Sequence, residues 1–321
     1  MGKSLLYANG VISALSTKLI SKDTFNRMID AKTNVEALAI LQETSFGSGL
    51  TINSPFEIEE LTNFETKKFV EFLKSESPED ELTTLFLLPY DYNNISGICK
   101  AMLLEQNENN FIEAEGFYEI TKIKDIVNSK NYSSFNNKFI EECLNKYNEL
   151  VSRNIIDGYE IDLLFKKYLY KNLKEMAKKP LIKQIVSNYI DIENISVAMR
   201  SDTTFILEQQ KLCGGSLSLE VLLKIFAKDL SVVNEIKDST IKKFVELAVK
   251  EDKENSFVEF EVFKNNFIFS KLLPEKYDNN KLTPFALYCF EREAQIKNVR
   301  LIMSYKNNNI SSEIKKRILE W

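Results

Sequence analysis

Apolar residues in this chain recur at the period of an α-helix, and few residues interrupt them. Leu181, Ile182, Ile185, Val186, Tyr189 and Ile190 fall at the spacing that puts all six on one helical stripe. Leu164, Phe165, Tyr168, Leu169, Leu173 and Met176 do the same on the segment before. Only 9 glycines and 6 prolines punctuate 321 residues, a scarcity that favours long helices over a many-turned β fold. Local signals agree. Thr33-Asn34-Val35-Glu36 reads as a capping box, with the Thr side chain meeting the Glu36 amide and the Glu reaching back. Ser77-Pro78-Glu79-Asp80 reads as a cap, a proline at the first helical position and two acids in the first turn. Phe46-Gly47-Ser48-Gly49 and Cys213-Gly214-Gly215 read as helix stops. Phe257–Phe263 alternates loosely like a strand. The helix is the better expectation there, because an isolated strand would leave its backbone groups unpaired. The expected fold class is all-α.

Composition narrows the chemistry. No histidine occurs, which removes imidazole acid–base catalysis, Ser-His and Cys-His nucleophile pairs and zinc sites that need imidazole. Cys99, Cys143, Cys213 and Cys289 form no CxxC pair and are expected to be buried free thiols in a reducing compartment. The opening residues show no basic stretch leading into a long apolar one, Leu6 stands where myristoylation wants Ser or Thr, and no apolar run reaches membrane-spanning length. A cytoplasmic protein is expected. Gly2-Lys3-Ser4 lacks the upstream glycine and strand of a phosphate loop, and Gly214-Gly215 is no nucleotide loop either. The 36 aromatic residues read as core filler, and the net charge of −5 argues against nucleic acid. The basic run Lys315-Lys316-Arg317 reads as charge at a helix C-terminus, and the adjacent acids Glu59-Glu60, Glu79-Asp80-Glu81 and Glu141-Glu142 as solvated faces. Neither a cofactor site nor a metal site is expected.

The chain also echoes itself. Asp91-Tyr92-Asn93-Asn94-Ile95-Ser96 and Asp191-Ile192-Glu193-Asn194-Ile195-Ser196 share D-x-x-N-I-S at an offset of 100 residues, each with a cation nine residues after its acid, Lys100 and Arg200. A weaker third copy has Glu291 and Arg300 in the acid and base positions. A register four residues later, Gln295-Ile296-Lys297-Asn298-Val299, restores the Asn and loses the acid, and is equally defensible. A fixed period points to three related units of about 100 residues, 1–105, 106–205 and 206–321. Their net charges are −6, −1 and +2, so charge is polarised along the chain. Structural duty is the stronger reading of the Asp/Asn pairs: three residues apart, the acid can cap a helix or kink while the Asn bonds nearby.

Tyr7-Ala8-Asn9-Gly10-Val11, Phe25 to Ala31, Glu36 to Leu41 ending at Phe46-Gly47, the two D-x-x-N-I-S segments, Leu212-Cys213-Gly214-Gly215-Ser216-Leu217, and Pro284-Phe285 through Glu293 to Arg300 occur in an order and at a length that resemble the C subunit of bacterial and archaeal V-type (A-type) rotary ATPases, the counterpart of the d subunit of eukaryotic V-ATPases. The third unit departs most from the pattern, and Ser216 follows the glycine pair where a Glu is expected nearby. The resemblance implies three similar helical units around a pseudo-threefold axis, forming a funnel with a central cavity. It implies a non-catalytic rotor subunit, peripheral on the cytoplasmic face of the membrane. The cavity would receive the central-stalk D and F subunits, and the narrow face would rest on the proteolipid (c/K) ring, linking ATP turnover to proton or sodium movement. The repeat signature Asp91, Asn94, Lys100, Asp191, Asn194, Arg200, Glu291 and Arg300 is expected to be structural first and interfacial second. Two alternatives stay open: an all-α enzyme with a carboxylate and tyrosine site, and an unrelated helical scaffold.

Overall fold

A computed structural model describes residues 3–112, 114–154, 157–253, 258–310 and 317–319. Among them are fourteen α-helices, joined by loops and five 3-10 turns, with no strand. The contested segment from Val258 onward is helical. The helices divide between two compact units, residues 1–79 with 236–321, and residues 80–235.

The first unit holds α1 (Leu5–Ser16), α2 (Lys22–Asp30), α3 (Asn34–Gln42), α4 (Ile58–Glu76), α12 (Ser239–Lys253), α13 (Val258–Leu272) and α14 (Thr283–Asn307). Helix α14 is its axis, packing on α1, α3, α4 and α13. Aromatic residues fill the seams as expected. Phe72 of α4 stacks on Phe285 of α14 with centroids 5.6 Å apart, and Phe244 of α12 stacks on Phe260 of α13 at 4.5 Å. The second unit holds α5 (Asp80–Leu103), α6 (Ile120–Ser129), α7 (Lys138–Ser152), α8 (Gly158–Met176), α9 (Pro180–Arg200), α10 (Thr204–Gln210) and α11 (Leu219–Phe226). Here α5 is central, lying mainly on α8 and touching α6 and α9.

Start signals hold at Thr33, whose side chain accepts the Glu36 N–H at 3.1 Å. Glu36 reaches back one residue beyond the cap and accepts from Lys32 N–H. Ser4, which belongs to the incomplete phosphate-loop pattern, caps α1 through Tyr7 N–H. The Ser77 signal works differently from its sequence reading. Ser77 closes α4, giving its N–H to Leu73 C=O, and α5 begins only at Asp80. Pro78 has no N–H to extend α4 and biases Ser77 away from helical geometry, so a start-like pattern marks the joint between two helices. Glu81, in the first turn of α5, accepts the N–H groups of Lys178 and Lys179 and so caps the entry of α9. Cys99, Cys143 and Cys289 are buried, whereas Cys213, in the turn before Gly214-Gly215, is exposed. Of the basic run at 315–317, Lys315 and Lys316 lie outside the described residues.

The first unit carries one deeply buried ion network. Glu65 of α4 accepts from Gly47 N–H at 3.0 Å, Lys68 at 2.9 Å and Arg292 of α14 at 2.7 Å. Burial works to raise the Glu65 carboxyl. The Lys68 bond, the Arg292 charge and the Gly47 N–H outweigh it and hold the group below its ordinary value. A carboxylate depressed in the folded state contributes stability above its unfolded pKa and loses it as pH falls through the folded one. Glu65→Gln leaves Arg292 without its anion and is expected to destabilise the first unit by about 3 kcal/mol at neutral pH. Urea unfolding monitored by circular dichroism should show the deficit shrinking as pH falls through the carboxylate range.

Candidate functional site: a repeated side-chain clamp on the backbone

Asp91 and Asn94 lie on the buried face of α5, one turn apart, two residues after Pro89 interrupts the helix's own N–H series. The Asp91 carboxylate does not cap its own helix. It accepts the N–H groups of Phe117 at 3.0 Å and Tyr118 at 3.2 Å, the last residues before the cap of α6. Asn94 donates from Nδ2 to Ala114 C=O at 3.0 Å. Together they fix the stretch of chain that enters α6.

Asp191 and Asn194 repeat the device on α9. Asp191 accepts Ser216 N–H at 3.0 Å, Ser216 Oγ–H at 2.6 Å and Leu217 N–H at 3.0 Å, immediately before the Ser218 cap of α11. Asn194 grips Leu212 from both sides, donating to its C=O at 3.0 Å and accepting its N–H at 2.6 Å. Ser216, a departure from the family pattern, is thus a donor to the clamp. Both clamps need glycine where the chain crosses the acid. A Cβ at Gly116 would lie 2.5 Å from Asp91 Oδ1 and 2.6 Å from Leu87 C=O, and one at Gly215 would lie 2.1 Å from Asp191 Oδ1. Gly116 was missed in the sequence, although its spacing from Asp91 nearly matches that of Gly215 from Asp191.

On α14 the later register does the bonding. Asn298 donates to Leu319 C=O and accepts Leu319 N–H, both at 2.8 Å, the same pair that Asn194 makes with Leu212. Gln295 accepts Ile20 N–H at 3.1 Å. Glu291 is buried on the same face, 3.3 Å from Lys276. Burial pushes its carboxyl up, with Lys276 only partly opposing.

The cations of the signature go three ways. Lys100 pairs with Asp162 of α8 at 2.5 Å, tying α5 to α8. Arg200 is exposed at the end of α9. Arg300 reaches Thr62 at 3.1 Å and Glu59 at 3.1 Å on α4.

No group of three or more acids and cysteines able to hold a metal occurs among the described residues. Two cavities of the first unit, about 570 and 240 Å³, each carry a single acid, Glu261 in one and Glu291 in the other. No described helix is long and apolar enough to cross a membrane. What the geometry provides is a set of joints in which buried polar side chains hold passing backbone.

Fold and joints define a helical protein organised around side-chain clamps on three long central helices. The model of the ATP synthase (C/AC39) subunit family matches residues 8–317, and the chain belongs to that family. Among similar proteins are the C subunit of the V-type sodium ATPase of Enterococcus hirae, 21% identical with 95% of this chain and 94% of that one covered, and the C subunit of the A-type ATP synthase of Thermococcus kodakarensis, 20% identical over 98% and 89%. The corresponding A-type ATP synthase protein of Thermococcus gammatolerans is 24% identical, again over 98% and 89%.

Gly215→Ala must displace a buried carboxylate and is expected to destabilise the second unit by about 2–4 kcal/mol. Gly10→Ala, in α1 with nothing within 4 Å of the added carbon, should be neutral or stabilising by about 0.5–1 kcal/mol. Thermal unfolding of the two variants side by side checks both.

Proposed function

We propose that this chain is the C subunit of a V-type/A-type rotary ATPase and serves there as a non-catalytic rotor part, joining the central shaft of the soluble head to the proteolipid ring. The observation that carries the reading is the family match, which runs from residue 8 to residue 317, on relatives covered over most of their own length. On this reading the partners are the central-stalk D and F subunits on one side and the ring on the other, and the protein sits peripherally on the cytoplasmic face. The three units 1–105, 106–205 and 206–321 are arranged around a pseudo-threefold axis, and the signature residues maintain them.

The physical features suit a part that carries torque. A shaft coupling must resist shear, and close-packed helices with few glycines do so. The clamps add cross-ties where loops would otherwise give: Asp91 and Asp191 pin the entries of α6 and α11, and the Glu65–Arg292 pair ties α4 to α14. No step of chemistry is asked of the chain. ATP turnover belongs to the head, ion movement to the membrane part, and this protein passes rotation between them.

The test is recovery of the tagged protein from membranes of its source in mild detergent. Shaft and ring proteins are expected in the eluate, and a chain recovered alone would contradict the assignment. The polarised charge gives a second prediction. Glu60, Glu71 and Asp80 are exposed acids of the most negative stretch. Reversing all three to Lys should slow assembly with the shaft or ring several-fold at low salt and have little effect at high salt, read by surface binding kinetics. Unchanged rates at low salt would remove charge from the account.

A further inference from the structure

In the clamps of α5 and α9, the described backbone that the Asp and Asn hold comes from one continuous stretch downstream of the helix. Asn94 holds Ala114 and Asp91 holds Phe117 and Tyr118; Asn194 holds Leu212 and Asp191 holds Ser216 and Leu217. Each stretch then enters a short helix, α6 or α11. On α14 the same two side-chain positions hold two different pieces of chain. Asn298 holds Leu319, while Gln295, three residues before it, holds Ile20. Ile20 stands just before Ser21, the cap of the short helix α2, in the place Tyr118 has before α6 and Leu217 before α11. The third clamp is therefore the same joint with its chain interrupted, its two halves supplied from opposite ends of the sequence.

Among the described residues, Gln295 also holds its segment with fewer bonds than Asp91 or Asp191 does. Asp191 takes three donors, whereas Gln295 takes one through Oε1, and its buried Nε2 has no partner. A buried amide group left without a partner costs stability, and a neutral acceptor holds an N–H less strongly than a carboxylate does. The acid has moved one turn back. Glu291 occupies the position four residues before Gln295 that Leu87 and Ser187 occupy before Asp91 and Asp191. It lines a cavity of about 240 Å³ whose walls include Ile20, Ser21, Ile318 and Leu319. Both held segments thus border one imperfectly filled space, so displacing one exposes the other.

We propose that Gln295 and Asn298 form a latch that holds residues 19–20 and 318–319 together as one joint, and that this joint opens before the two continuous clamps do. Opening releases Ile20 and the entry of α2 from Gln295 while the Asp91 and Asp191 joints stay shut. The inference is independent of the rotor reading.

Hydrogen exchange by mass spectrometry on the full chain tests it. In the unmodified protein the Ile20 amide should exchange faster than those of Tyr118 and Leu217; the reverse order would overturn the proposal. Leu319→Pro removes the N–H that Asn298 accepts. It should speed exchange from Ile20 through α2 by about tenfold, although that segment lies at the other end of the sequence. Unchanged exchange there would show that the two segments are held separately. Asn298→Ala should repeat the effect, while Asn194→Ala should speed exchange only around 212–217. An Asn298→Ala protein that exchanges like the parent at α2 would likewise count against the latch.

Discussion

A peptide N–H carried into a protein interior must find an acceptor, because water is no longer there to supply one. In this chain the requirement is met in the middle of long helices as well as at their ends. Asp191 and Asn194 are buried polar groups on α9, and they survive there because they accept and donate to backbone that crosses the helix. The reverse also holds: the crossing segments, buried only at Gly116 in one and Leu212 in the other, are held against their helices by these side chains. That mutual dependence sets where α6 and α11 begin, requires glycine at 116 and 215, and brings together parts of the chain distant in sequence.

Much of this was legible in the sequence and some was not, for physical reasons. Helices follow from period and from scarce breakers, both local properties. The Thr33 cap was readable because every atom in it lies within a few residues. Ser77 misled for the same cause: Ser-Pro-acid is locally a start signal, and only the preceding helix, through Leu73, decides that it is a stop. The period of 100 singled out Asp91, Asn94, Asp191 and Asn194, but nothing in a period names their partners. Those lie 18 to 27 residues on, across loops of unequal length. Between the two possible third registers the sequence offered no choice. Bonds to Leu319 and to Ile20, the latter 275 positions away, show Asn298 and Gln295 at work while Glu291 sits in a separate ion pair. Cys213, expected to be buried like its three fellows, lies exposed in the turn before Gly214-Gly215.

Membership of the ATP synthase (C/AC39) subunit family and the clamped helical design point the same way. On the proposed rotor reading the part needs joints that do not slip, and a carboxylate accepting two or three fixed donors slips less than apolar contact alone. Both units have ties of this charged kind: Glu65 with Arg292 in the first, Asp91 with Phe117 and Tyr118 and Asp191 with Ser216 and Leu217 in the second.

The coupling role is tested most directly by reconstituting the parent ATPase in vesicles with and without this protein, and measuring ATP hydrolysis and ion uptake in the same preparation. The account predicts that without it the head still hydrolyses ATP while ion uptake falls to background, and that adding the protein back restores uptake. Ion uptake that persists at full rate in its absence would contradict the account.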